Sequence, residues 1–290
     1  MMGDLLFERK EQGRLRVPVI DKEANIGGAV GRFQFPCSPA VVDVTGDGIL
    51  DLVVADSSGY LWVFKNSGTK QAPKWTHGEI IPVFLHVWGK WTWREDGAAH
   101  EWAEYAPQIC AANLSRQGVT DVFVGSYYGE LFQVTLQLAG GKLRSRVIDP
   151  NQMEMRISSE EGYWANLLAP AVFDWDKDGR SDLILGEGTF SANSVWFLKN
   201  EGSDSAPRFK ADDRQAIAYG NGRDQLRPVV VDWDNDGTAD LLVADSLGEV
   251  RVFLNKKAGS VGVLEAGDPP MRVQFGSSYS LGGMATIATG

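Results

Sequence analysis

Cysteine is nearly missing: Cys37 and Cys110 are the only two in 290 residues. That is too few for a disulfide framework or a tetrahedral zinc site. Two buried free thiols are expected, and a bridge between Cys37 and Cys110 stays open because a sequence carries no distances. No run of about 18 apolar residues occurs, and the opening MMGDLLFERKEQG has no basic stretch, apolar core or small-residue cleavage site. As written, the chain is expected neither to span a membrane nor to export itself. Basic residues are in deficit, with 28 Lys and Arg against 38 Asp and Glu and a formal charge of −10. A chain so charged lacks the clustered cations that displace counterions from a nucleic-acid backbone, so no nucleic-acid partner is expected. His77, His86 and His100 are the only histidines. Serine-nucleophile, phosphate-loop and zinc patterns are absent.

What is present is turn-forming and aromatic: 33 Gly, 12 Pro, 10 Trp, 7 Tyr and 13 Phe. This composition suits many short strands on pleated, half-buried surfaces. Self-similarity organises them. PAVVDVTGDGILDLVVADSSGYLWVFKN from Pro39, PAVFDWDKDGRSDLILGEG followed by SVWFLKN from Pro170, and PVVVDWDNDGTADLLVADSLGEVRVFLN from Pro228 align without gaps in their first halves. PQICAANLSRQGVTDVFVGSYYGELFQVT from Pro107 keeps the apolar pattern and loses most of the acids. Each unit reads as an apolar run, an acidic turn, a second run, a Gly-containing turn and a third run, with a weaker fourth strand expected in the connecting stretch.

Four-stranded units repeated at this spacing predict an all-β fold, a β-propeller, because a blade buries its faces only against its neighbours. The leading prolines lie 68, 63 and 58 residues apart. The expectation is one domain over 1–290, with units at 39–106, 107–169, 170–227 and 228–270. A fifth blade is expected to combine 271–290 with 1–38, where residues 3–9 (GDLLFER) match a Gly-led third strand. A piece of a larger propeller, or a ring completed by a second copy, is the alternative.

The acidic turns are the chemistry. Asp174, Asp176, Asp178 and Asp182 occupy positions 1, 3, 5 and 9 of a nine-residue loop, with Gly179 after position 5 and the carbonyl of Arg180 at position 7. Asp232, Asp234, Asp236, Thr238 and Asp240 repeat this around Gly237; Asp43, Thr45, Asp47, Ile49 and Asp51 repeat it around Gly48 with a hydroxyl replacing one acid. Alternation turns the intervening residues away, glycine allows the reversal, and several hard oxygens select Ca²⁺, which takes six to eight of them. About three structural Ca²⁺ sites are expected, the first the weakest. The EF-hand is excluded by its need for a Glu at position 12 and flanking helices. Asn113, Ser115, Gln117 and Asp121 hold the equivalent positions of the acid-poor unit, where no ion is expected. Three bound Ca²⁺ would bring the formal charge from −10 to −4.

The pattern D-x-D-x-D-G-x-x-D-L followed by a glycine-led strand resembles the FG-GAP or VCBS repeat over roughly Pro39 to Asn255. Such repeats occur in integrin α-subunit propellers, in some fungal lectins and in propellers attached to or forming bacterial polysaccharide lyases. The resemblance implies that the Asp residues of the three loops are ion ligands. It also implies an extracellular or periplasmic setting, with any export signal absent from this chain.

The longest irregular interval holds FLHVWGKWTWREDGAAHEWAEYAP, with Trp88, Trp91, Trp93, Trp102 and Tyr105 beside Arg94, Glu95, Asp96, Glu101 and Glu104. Flat aromatic faces with carboxylates and Arg suit a carbohydrate; packing as an outer strand between blades is the competing reading, since Trp91 and Trp93 share one face of an extended chain. Tyr127, Tyr128, Tyr163 and Trp164 lie near equivalent loops and could extend the platform. A calcium-stabilised module binding a polysaccharide or another extracellular partner is the leading functional expectation. An integrin-like protein-adhesion module is the second and a polysaccharide lyase the third, with His86 and His100 as the weak candidate bases.

Overall fold

The computed structural model describes residues 37–56, 61–76, 78–81, 85–87, 90–92, 107–114, 118–125, 129, 131–148, 168–188, 194–220, 225–246, 248–267 and 271–272. Four antiparallel sheets of four strands follow one another along the chain, each a meander. The first is β1 (Cys37–Val42), β2 (Asp51–Asp56), β3 (Leu61–Phe64) and β4 (Glu79–Ile81). A separate hairpin comes next, β5 (Leu85–Val87) paired with β6 (Lys90–Thr92). The second sheet is β7 (Gln108–Ala112), β8 (Val119–Gly125), β9 (Leu131–Ala139) and β10 (Lys142–Ile148). The third is β11 (Ala169–Phe173), β12 (Asp182–Gly186), β13 (Ser194–Leu198) and β14 (Gln215–Tyr219), the last entered through a 3-10 turn at Ala211–Asp213. The fourth is β15 (Arg227–Val231), β16 (Asp240–Ala244), β17 (Glu249–Phe253) and β18 (Met271–Arg272).

The opening strands pack side by side in the order β1, β7, β11, β15. Ile109 of β7 donates its N–H to Ser38 Oγ of β1 at 3.1 Å. Together these strands wall a cavity of about 220 Å³ lined by small residues such as Ala40, Ala111, Pro170 and Val229. Four meanders with their first strands on a common channel form the blade arrangement of a β-propeller.

Second strands explain why the repeat reads as a continuous apolar run rather than an alternation. They are buried on both faces, and β12 and β16 are buried end to end. Alternate side chains then serve different neighbours. Leu183 and Leu185 join Phe123 and Leu131 of the second sheet, whereas Ile184 joins Leu241 and Val243 of the fourth. The core thus lies between blades rather than within them.

The expected fourth strands are present, and they depart from the sequence division in two places. Met271 and Arg272, assigned above to the closing unit, pair with Val250 and Glu249 and complete the fourth sheet. The outer strand of the first sheet is Glu79–Ile81, and the described residues of the aromatic interval, Leu85–Val87 and Lys90–Thr92, form a separate hairpin with His86 directly opposite Trp91 in register. The fifth blade expected from 271–290 and 1–38 lies outside the described residues, apart from Cys37, Ser38, Met271 and Arg272. Cys110, on β7 in the channel wall, is a free thiol. Among the described residues no helix is long and apolar enough to cross a membrane.

Candidate metal centres

Each acidic loop joins the first strand of a blade to its second. Its shape comes from backbone N–H groups closing on the loop's own carboxylates. Asp43 Oδ1 accepts from Gly46 and Asp47 at 2.7 and 3.2 Å, and its Oδ2 accepts from Gly48 at 2.7 Å. Asp232 repeats this with Asp236 and Gly237 at 3.1 and 3.0 Å, and Asp174 Oδ2 accepts from Gly179 at 3.2 Å. At position 5, Asp47, Asp178 and Asp236 accept from the N–H of Ile49, Arg180 and Thr238.

Two positions in each loop lie in the left-handed region, not one. Position 6 is Gly48, Gly179 or Gly237, as expected, but position 4 has φ of 77° at Gly46, 61° at Lys177 and 57° at Asn235. Gly46 and Asn235 are residue types that tolerate that region and offered a sequence signal for the second reversal; Lys177 did not. Lys177 stacks its ammonium 4.7 Å from the Phe173 ring centre, a contact that supports the strained residue.

Position 9 is the anchor. Asp51, Asp182 and Asp240 are all buried. Asp182 Oδ2 accepts from Trp175 and Asp176 at 3.1 and 3.5 Å, while its Oδ1 accepts from Asn200 at 2.9 Å. Asp51 binds Val44, Thr45 and Asn66 in the same way, and Asp240 binds Trp233 and Asn255. Burial, and further the Asp176 carboxylate, push Asp182 up to about 6.

The structure brings carboxylates together in two of the three loops. Asp174, Asp176 and Asp182 each offer an oxygen within 4.8 Å of the others, and Asp232, Asp234 and Asp240 do the same. Oxygens bound to one Ca²⁺ at about 2.3–2.6 Å lie no farther apart than about 5 Å, so both triads have the span of a single ion's coordination sphere. Asp174 Oδ1 is buried without a hydrogen-bond partner, and a buried carboxylate oxygen left this way wants a cation. The donor set therefore fits a hard divalent ion. Asp43, Asp47 and Asp51 form no such triad, because position 3 is Thr45.

In the second and third acidic loops the position-5 acids face lysine or arginine. Arg180 and Lys199 both pair with Asp178 and hold its carboxyl down at about 2. Lys256 pairs with Asp234 and, at 3.2 Å, Asp236. In the second blade Asn113 Nδ2 donates to the Asp43 carbonyl at 3.0 Å, and buried Asp121 accepts from Gln133 Nε2 at 2.7 Å. Ser115 and Gln117 lie outside the described residues, as do Trp88, Trp93, His100, Trp102, Tyr105, His77, Tyr127, Tyr128, Tyr163 and Trp164. His86 and Trp91 are placed as backbone only, in the β5–β6 hairpin.

Comparison with known proteins bears on these loops. Residues 174–243 match the FG-GAP-like repeat, a span that begins at the first ligand position of one triad and takes in the whole of the next. No curated protein matches the chain. A crystal structure of BBS1N in complex with ARL6DN, soaked with mercury, is similar at 14% identity, covering 79% of this chain and 82% of that one, with a TM-score of 0.28. A TM-score that low carries no argument about shape or ligand.

Proposed function

We propose that the chain is a calcium-stabilised propeller that acts as a recognition module, with carbohydrate as its ligand. The pair of aspartate triads, each hung on the same hydrogen-bonded loop, carries the calcium part of this reading. Residues Asp174, Asp176, Asp182 and Asp232, Asp234, Asp240 would hold the ions, joined by the position-5 acids and the carbonyls of Arg180 and Thr238. When bound, each Ca²⁺ neutralises carboxylates that otherwise repel. With a dissociation constant of about 10⁻⁵ M and free Ca²⁺ of about 1 mM, linkage gives about 2.7 kcal/mol per site. Such concentrations favour an extracellular or periplasmic setting.

Carbohydrate is supported by the aromatic interval. The sequence between β4 and β7 carries Trp88, Trp91, Trp93, Trp102 and Tyr105, and the β5–β6 hairpin within it belongs to none of the four sheets. Binding residues are disproportionately carried on the segments that connect a scaffold's elements.

Retention on a panel of immobilised polysaccharides, run with Ca²⁺ and with chelator, tests the proposal. Calcium-dependent retention that disappears in Trp91→Ala and Trp93→Ala proteins of unchanged fold is the expected result. A folded, calcium-loaded protein retained by no glycan would overturn the carbohydrate reading and favour a protein partner. Growing ultraviolet absorbance from new carbon–carbon double bonds would instead identify a lyase.

A further inference from the structure

Two of the acidic loops carry a lysine that reaches them from the far end of the blade's third strand. Lys199 precedes Asn200, the residue that caps Asp182, and its Nζ binds Asp176 Oδ2 and lies 2.7 Å from Asp178 Oδ2. Lys256 follows Asn255, which caps Asp240, and its Nζ binds Asp234 and lies 3.2 Å from Asp236. The two lysines stand on opposite sides of their asparagines in sequence, yet end on the same pair of loop positions, 3 and 5.

The first loop supplies the control. Lys65 occupies the place of Lys199, directly before Asn66, but position 3 there is Thr45, and Lys65 pairs with Glu79 at 3.2 Å instead. Lysine therefore accompanies the position-3 carboxylate. That carboxylate is also a member of each triad, so a divalent ion and an ammonium draw on the same oxygens.

Resting on the calcium reading above, we propose that Lys199 and Lys256 are tethered competitors of the metal ion that set the affinity of the second and third loops. An ion entering either triad must take Asp176 or Asp234 from its lysine, and an ammonium left about 4 Å from a dication would be repelled. Both stems are substantially exposed, at 43% and 59%, so the lysines can swing into water when displaced. The ion gains a fourth carboxylate in these loops and loses part of that advantage to the lysine. The first loop, with one carboxylate fewer and no competitor, then binds less weakly relative to the others than its acid count suggests.

Calorimetric titration of the full chain with CaCl₂ tests this, using Lys199→Met, Lys256→Met and, as control, Lys65→Met. The charge is removed from exposed positions and the stem is kept. Each of the first two variants should tighten one site roughly five- to tenfold, the effect of removing one nearby charge in a solvated setting, and Lys65→Met should match the wild type. Melting in chelator should fall for Lys199→Met and Lys256→Met, with the difference closing in excess Ca²⁺. Unchanged or weakened affinity in both variants, or a melting loss equal with and without Ca²⁺, would overturn the inference while leaving the calcium reading intact. Wild type and variants all failing to bind Ca²⁺ would overturn both.

Discussion

The backbone N–H of Asn200 donates to Asp182 Oδ1 across 2.9 Å, joining the end of β13 to the ninth residue of the acidic loop. The Asn200 side chain then accepts from Gly202 and Arg208 at 2.9 and 3.0 Å and closes the next turn. Asn66 and Asn255 make the same link to Asp51 and Asp240. Position 9 is thus a structural residue of the blade as well as a candidate ligand, and the two roles separate by mutation.

Asp182→Ala should leave three backbone donors without their acceptor in a buried site, at about 1–3 kcal/mol for each one that water does not reach. The loss should already appear in chelator and be larger in Ca²⁺, where the ion's contribution to that loop is lost as well. Asp176→Ala, at a partly exposed position whose partner is the exposed Lys199, should change stability in chelator by about 1 kcal/mol or less and abolish the calcium-dependent gain of that loop. Urea denaturation under both conditions measures this. Equal stability of Asp182→Ala and wild type in chelator would refute the structural role of position 9.

Much of this was readable in the chain. The repeat exposes the blade because the strand after each loop is buried between neighbours and must stay apolar, while the strand before it lines the channel with small residues; fourth strands vary from β18, two residues long, to β10, seven. Ile81 of β4, Leu143 of β10, and Ile217 with Ala218 of β14 are the buried residues these edges give to the core, too few in each strand to set a period. The asparagine ending each third run was visible, but its hydrogen bond joins residues 15 or 18 apart, a distance local patterns do not encode. The same holds for Lys199 and Lys256, each 20 or more residues from the acids it binds. In the second blade Leu136 takes the asparagine's place, and Asp121 turns to Gln133 instead.

Trp175 and Trp233 look equivalent in sequence, each at position 2 of its loop, and differ in surroundings. Trp175 is 1% exposed, packed between the third and fourth blades, and its Nε1 donates to the Ser260 carbonyl at 2.9 Å; Trp233 is 43% exposed. Trp175→Ala should cost about 3–5 kcal/mol, and Trp175→Phe about 1 kcal/mol or more for the lost hydrogen bond. Trp233→Ala should cost much less than Trp175→Ala. Chemical denaturation of the three variants checks the order, and equal losses for the two alanine variants would contradict the assigned burial.

Gly186 ends β12 where that strand meets the backbone entering the next blade. A Cβ there would fall 2.0 Å from the Leu226 carbonyl oxygen and 2.6 Å from Pro228 Cδ, and the Leu226 N–H donates to the Glu187 carbonyl at 3.3 Å. The close approach leaves no room for a methyl group. Gly186→Ala must push two blades apart at their backbone, a cost of at least about 1–3 kcal/mol, in contrast with the mild gain that alanine usually brings to a strand. Thermal melting of the variant decides between the two signs.

Asp121 gives a pH test away from the proposed ion ligands. Burial raises its carboxyl above the usual 3.8, against the opposing hydrogen bonds from Gln133 and the Leu114 backbone, with Asp204 adding a smaller push upward. A carboxyl raised in the folded state binds its proton more tightly there than in the unfolded chain. Its favourable contribution is therefore complete below the unfolded pKa and is lost as pH rises through the folded one. Asp121→Asn removes the buried charge while keeping the shape: the amide oxygen that replaces a carboxylate oxygen accepts from the Leu114 N–H, and Gln133 turns its own amide over to accept from the new NH₂ group. The variant should equal wild type below about pH 3.5 and exceed it at pH 7, with the gap opening across the interval between the unfolded and folded pKa values. A gap of constant size from pH 3 to 7 would mean that the substitution acts through packing alone.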